Sequence, residues 1–227
     1  MERRYMGVMP MTDSGGTARP LSVDLTQMAA HVEKQLDGAI RAFERRDLAS
    51  AQEIIAADAR IDLAHSAIEQ KVMDALSLGP QSARHLREIM MTMKVAGELE
   101  RVGDLAKNVA KRTLVVSRER FVTPANGVVR MGDASLRQLS RILNALADEN
   151  QEAAEAVWRG DDDLDALYNS VFKEIILEMM GDRDRINACL HMVFIAKNFE
   201  RVGDHATNIA EALYYFITGA SLAIDRP

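Results

Sequence analysis

Glu100-Arg101-Val102-Gly103-Asp104, followed by Ala106, Asn108 and Ala110, returns 100 positions later as Glu200-Arg201-Val202-Gly203-Asp204 with Ala206, Asn208 and Ala210. Eight of the eleven positions from Glu100 to Ala110 are identical in the second copy. A fainter echo lies upstream, Asp58-Ala59-Arg60-Ile61-Asp62 against Asp161-Asp162-Asp163-Leu164-Asp165, at an offset of 103. Matches of this kind in two similarly segmented halves mark an internal duplication.

The repeated stretch reads as helix. Val95, Leu99, Val102, Ala106 and Val109 fall at alternating steps of four and three, and the second copy supplies Ile195, Phe199, Val202, Ala206 and Ile209. Such a stripe is the core-facing side of a helix in a bundle. Composition agrees. Aromatic residues make up 5% of 227 residues, and Gly and Pro number 13 and 5. That is a poor supply for a β-rich fold and fewer turn formers than the usual share of about 12%. An apolar fraction of 48% excludes a disordered chain, and a formal charge of −6 argues against a broad nucleic-acid footprint.

The prolines divide the chain, because each lacks a backbone donor and disfavours helix before it. Residues 1–20 read as a loose polar tail. Helices follow from Pro20, with a break near Asp47, a stop at Leu78-Gly79-Pro80, and a long helix from Gln81 to about Glu119, roughly 55–60 Å at 1.5 Å per residue. Thr123-Pro124-Ala125-Asn126-Gly127 is the midpoint linker. The second half repeats the plan: Val128 to Ala147, a start near Glu149 or Asn150 closed by Gly181-Asp182, and a long helix to Thr218-Gly219. The predicted fold is all-α, two tandem three-helix bundles over residues 21–122 and 128–219.

Glu100 and Asp104 stand at i and i+4, as do Glu200 and Asp204. Like charges at that spacing cost an isolated helix about 0.2–0.5 kcal/mol, and a mid-helix glycine about 1 kcal/mol more. One such pair is an ordinary solvated face. The same unfavourable arrangement in both copies points to a site, although Gly103 and Gly203 serve helix packing as readily as a ligand. Asp58 falls within the apolar stripe Ile54, Ile61, Ile68 and Val72, and Asp161 is related in the same way to Leu164, Val171 and Ile175. Both read as mid-helix carboxylates in need of a partner. If neighbouring helices face each other there, each half gathers four acids: Asp58, Asp62, Glu100 and Asp104, then Asp161, Asp165, Glu200 and Asp204. Hard oxygen donors in that number suit Mg²⁺, Mn²⁺, Ca²⁺ or Fe³⁺. A ferritin-like di-iron site is disfavoured, since the nearest Glu-x-x-His analogue is Asp62-Leu63-Ala64-His65, repeated as Tyr168.

Other side chains offer less. His31, His85 and His191 share no partner spacing, and His205 is matched by Leu105 and so stands outside the duplicated set. Cys189 lies in an apolar stretch and reads as a packed thiol; a single cysteine makes no internal disulfide. There is no Gly-rich phosphate loop and no catalytic triad pattern. No secretory signal and no apolar run long enough for a bilayer is evident, which gives the expectation of a soluble, cytoplasmic protein.

These paired motifs resemble the PhoU family, built of two three-helix repeats with a Glu-Arg-[Ile/Val]-Gly-Asp segment on the last helix of each. The resemblance covers residues 22 to 219, and Leu105 departs from the family's frequent histidine. It implies a non-enzymatic negative regulator of phosphate uptake and of the phosphate-starvation regulon. Such a protein is an adaptor between the phosphate ABC transporter, through its ATPase subunit, and the sensor histidine kinase. It also implies a homodimer and metal ions (Mg, Mn or Fe) at the eight acids named above. The competing reading is a carboxylate-bridged metal enzyme or metal store on the same helical bundle.

Overall fold

The computed structural model describes residues 21–79, 82–119, 122 and 125–222, the side chains of Asp161 and Asp162 excepted. The expected tail at residues 1–20 and the stops at Pro80 and Pro124 lie outside the described residues, whereas Ala125, Asn126 and Gly127, read above as linker, already belong to the helix that opens the second repeat. The elements are α1 (Leu21–Arg45), α2 (Leu48–Ala57), α3 (Ala59–Leu78), α4 (Ala83–Val116), α5 (Ala125–Ala147), α6 (Gln151–Arg159), α7 (Asp161–Gly181), a 3-10 turn (Arg183–Arg185) and α8 (Ile186–Thr218).

Local chemistry sets most boundaries. After α1, Arg46 takes a left-handed φ of 54°, and the Asp47 carboxylate accepts the N–H groups of Ala49 and Ser50 at 3.0 and 3.1 Å. This is an N-cap that starts α2. The second repeat uses the same device 103 residues on: Glu149 takes φ 48°, and Asn150 Oδ1 accepts the Ala153 N–H at 3.0 Å. Ser82 Oγ caps α4 by accepting the His85 N–H at 3.1 Å. The 34 residues of α4 then run about 51 Å at 1.5 Å each. Gly219, at φ 75°, closes α8 with its N–H on the Tyr215 carbonyl at 2.9 Å.

The middle arm of each repeat departs from expectation. Asp58 and Asp161 are not mid-helix. Asp58 is the junction between α2 and α3, and Asp161 is the first residue of α7, after Gly160. Asp58 keeps helical angles (φ −54°, ψ −37°) yet makes no capping bond to α3, because its carboxylate is held by other elements. The arm is thus interrupted without leaving the helical region. With α2–α3 and α6–α7 each counted as one arm, the plan is the predicted pair of three-helix bundles.

The two bundles are fused through one core. The ten stripe residues, Val95 to Val109 and Ile195 to Ile209, are all fully buried. α4 and α8 lie antiparallel. Arg87 Nε donates to the Phe216 carbonyl at 3.1 Å near one end, and the Arg112 guanidinium sits 4.0 Å over the Phe194 ring near the other. α1 and α5 complete the shared core. At Gly132 a Cβ would stand 2.9 Å from Ile40 and 3.0 Å from the Phe199 ring, so α5 approaches α1 and α8 only because that side chain is missing. The middle arms pack on their own repeat, α2–α3 on α1 and α4, α6–α7 on α5 and α8. Among the described residues no helix is long and apolar enough to cross a membrane.

Candidate functional site

In the first repeat the polar centre is Asp58, 5% exposed in a wall of apolar side chains. A carboxylate taken out of water is tolerated only when its oxygens are matched. Gln35, itself buried on α1, donates Nε2 to Asp58 Oδ1 at 3.1 Å and to the Gly103 carbonyl at 3.2 Å. Lys107 Nζ bonds Asp58 Oδ2 and, at 2.6 Å, Asp104 Oδ1. One ammonium therefore bridges the acids of α4 and of the α2–α3 junction. Burial works against the Lys107 charge, but the hydrogen bonds to Asp104 and Asp58 outweigh it and hold the ammonium above the usual lysine range. Gly103 brings α4 close to α3: a Cβ there would meet Ile61 Cδ1 at 3.0 Å. Of the four predicted acids, Asp58 and Asp104 are brought together, Asp62 faces outward from α3, and Glu100 is half-buried without an ion-pair partner among the described residues.

The second repeat is built differently. Glu200 is largely buried, with Oε1 on Lys197 Nζ and Oε2 buried without a partner among the described residues. Lys197 Nζ lies 5.4 Å from the Tyr168 ring centre. Burial opposes its charge, but the Glu200 hydrogen bond and the fields of Glu200, Tyr168 and Asp204 raise its pKa. Asp165 and Asp204 are exposed, and the Asp161 side chain is outside the described residues. Position 207, the counterpart of Lys107, is Thr, whose Oγ1 donates to the Gly203 carbonyl at 3.1 Å. Lys197 in turn corresponds to Gly97. Each repeat thus answers its acids with a lysine from a different place in the chain.

No three His, Cys, Asp or Glu side chains among the described residues gather as ligands for an ion. In the first repeat the seat between Asp58 and Asp104 belongs to the Lys107 ammonium, so those acids, as arranged, do not fit a metal.

Two groups escaped the sequence reading. Gln35 recurs as Gln138 at the offset of 103, the same offset that relates Asp58 to Asp161, and Gln138 Nε2 is likewise buried. A polar residue on the apolar stripe of the first helix of both repeats was the available signal. His205 stands outside the duplicated set, yet its Nδ1 lies 2.6 Å from Glu98 Oε2, and Asn208 Nδ2 donates to the same oxygen at 3.2 Å. Burial pushes the Glu98 carboxyl up, but the bonds from His205 and Asn208 prevail and hold it below the usual range. Glu98 and His205 both break the duplication, against Asn198 and Leu105, and they face each other across α4 and α8. Paired departures of that kind are legible only once the helices are known to be antiparallel. Cys189 is fully buried and its thiol is pushed up by burial, as expected of a packed residue.

Fold and polar centre define a duplicated helical protein in which each three-helix unit places charged groups on its own middle arm and long helix. Residues 25–113 and 128–213 each match the PhoU domain. The phosphate-specific transport system accessory protein PhoU homolog of Caulobacter vibrioides is 38% identical over 91% of this chain and 90% of its own length. The homolog of that name from Rhizobium meliloti is 39% identical over 89% and 86%. Crystal structures of PhoU from Pseudomonas aeruginosa and of the phosphate transport system regulatory protein PhoU from Streptococcus pneumoniae superpose with TM-scores of 0.85 and 0.83. Their identities are 29% and 27%, over 88% and 90% of this chain and 96% of each of theirs. The chain belongs to the PhoU family.

Proposed function

We propose that this protein is a non-enzymatic accessory of a phosphate-specific transport system. In this reading it restrains uptake and the phosphate-starvation regulon when phosphate is plentiful, as an adaptor between the ATPase subunit of the ABC transporter and the phosphate-sensing histidine kinase. The observation that carries this is the pair of complete repeats, matched over nine-tenths of the chain by relatives named as phosphate transport accessory proteins. The outer faces of the middle arms support a docking role: Leu63 and Leu78 on α3, and Leu177 and Met180 on α7, stand exposed. Deletion in the cell, read as alkaline phosphatase output in phosphate-rich medium, tests it. Derepression is expected; unchanged repression refutes the regulatory role.

A further inference from the structure

Between α1 and the α2–α3 arm lies an open cleft of about 700 Å³. Its walls carry Lys34, Arg41 and Arg45 from α1 and Arg60 from α3, with His31 at one end. On a chain of net charge −6 this is a local reversal of sign. Two acids share the cleft, Asp47 and Glu53. Asp47 is already committed, since its carboxylate caps α2 and accepts the Ser50 hydroxyl at 2.7 Å. Arg41 is committed as well, to Asp37, Glu44 and Asp133. Lys34 and Arg60 have no ion-pair or hydrogen-bond partner among the described residues, and Arg45 has only the field of Asp47. Glu53 alone is too little to answer them.

The duplication supplies an internal control. At the offset of 103 that aligns the two helix breaks, Arg45 corresponds to Asp148, Arg60 to Asp163 and His31 to Ala134. Lys34 corresponds to Arg137, and Gly38 to Arg141. At Arg45 and Arg60 the first repeat therefore carries cations where the second carries acids. It also carries glycine, and hence an open wall, where the second carries a long side chain. The fold itself does not ask for Arg45 and Arg60, because the second repeat folds with acids at both places.

We propose that the cleft binds a small polyphosphorylated anion the size of a nucleotide. Guanidinium groups engage phosphate oxygens in pairs and resist dehydration less than ammonium groups do, which favours phosphate over a lone carboxylate. A single orthophosphate would leave most of the cleft empty, whereas the volume lies within the range of ligand sites for drug-sized molecules. Ile54 and Ala57 are among the lining residues, so an uncharged portion of the ligand has apolar side chains to meet.

The test is calorimetric titration of the full chain with inorganic tripolyphosphate, ATP, orthophosphate and triglutamate at physiological salt. Tripolyphosphate and ATP are expected to bind with Kd below about 0.1 mM. Tighter binding of ATP would place a nucleoside against Ile54 and Ala57, and equal binding would make the phosphate chain the recognised part. The combined Arg45→Asp and Arg60→Asp variant, which installs the second repeat's residues at exposed positions, is expected to weaken binding at least tenfold while keeping its helical circular dichroism. Arg137→Asp with Arg141→Asp changes net charge equally on the other repeat and is expected to stay within threefold of the parent. Absence of binding by both polyphosphates, equal binding of triglutamate, or an equal loss in the second pair of substitutions would each overturn the proposal.

Discussion

Replacing Lys107 by Met removes the bridging ammonium while leaving most of its apolar stem in place. Asp58, 5% exposed, would keep the Gln35 bond on Oδ1 and lose its only charged partner among the described residues. Removing one member of a buried ion pair costs about 3–5 kcal/mol, because the other charge stays buried and unanswered. The Lys107 side chain is itself 21% exposed, which favours the lower end, and the Asp104 arm adds little because Asp104 is 42% exposed. The expected loss is about 3 kcal/mol. For a chain of this length each kcal/mol moves Tm by about 2–4 °C, so the melt falls by about 6–12 °C.

A second substitution separates charge from packing. Asp58→Asn added to Lys107→Met leaves an amide that still accepts from Gln35 and no longer buries a charge, and most of the lost stability is expected to return. The pH dependence has a definite sign. Lys107 is raised in the folded state, so its contribution is complete below the ordinary lysine value of 10.5 and disappears as pH climbs through the higher folded value. Parent and Lys107→Met should therefore differ by a constant amount from neutral pH to about 10. Denaturant melts across that range measure both quantities. A single variant within about 1 kcal/mol of the parent, or a double variant no more stable than the single one, would refute the reasoning.

With Lys107 seated between Asp58 and Asp104, chelator is expected to leave the parent's melt unchanged, whereas an ion bridging the eight acids would make the melt fall on chelation; elemental analysis of the purified protein gives an independent reading. Glu98→Gln should cost about 1 kcal/mol at pH 7, since the bonds to His205 and Asn208 lose their charge. Glu98 sits below the ordinary glutamate value of 4.5, so its contribution is present above that value and is lost as pH falls through the folded one. Acid melts of Glu98→Gln should then decline less steeply than the parent's. Gly132→Ala is expected to destabilise by about 1–3 kcal/mol, because its Cβ would press on Ile40 and Phe199 in the shared core, and equal melts would show that the core yields there.

The apolar pattern was readable because helical spacing is a local property: all ten predicted stripe residues are buried, and Asp47 and Asn150 cap as their residue types foretell. The polar centre was only half readable. Spacing puts Asp58 on a buried face, but which group answers it depends on how α1, α4 and the middle arm are set together. Lys107 is one of 28 basic residues, and nothing local distinguishes it from an exposed one. The interruption at Asp58 was missed for the same reason. Ala56-Ala57-Asp58-Ala59 carries no helix-breaking residue, and the carboxylate is drawn to Gln35 and Lys107 on other helices.

Duplication explains what the two repeats share, and charge explains where they part. Residues that fill the common core have to match a partner stripe on the antiparallel helix, so a change in one copy is felt in both. The groups that neutralise each acidic centre face only their own repeat, so Lys107 and Lys197 could arise at non-equivalent positions without disturbing the fold. The same freedom applies at the surface, where Arg45 and Arg60 stand opposite in sign to Asp148 and Asp163. A scaffold with two identical faces would bind one partner twice. One whose core is nearly symmetric and whose faces differ in charge is able to hold two unlike partners at a fixed separation, which is the geometry that the adaptor role proposed above requires.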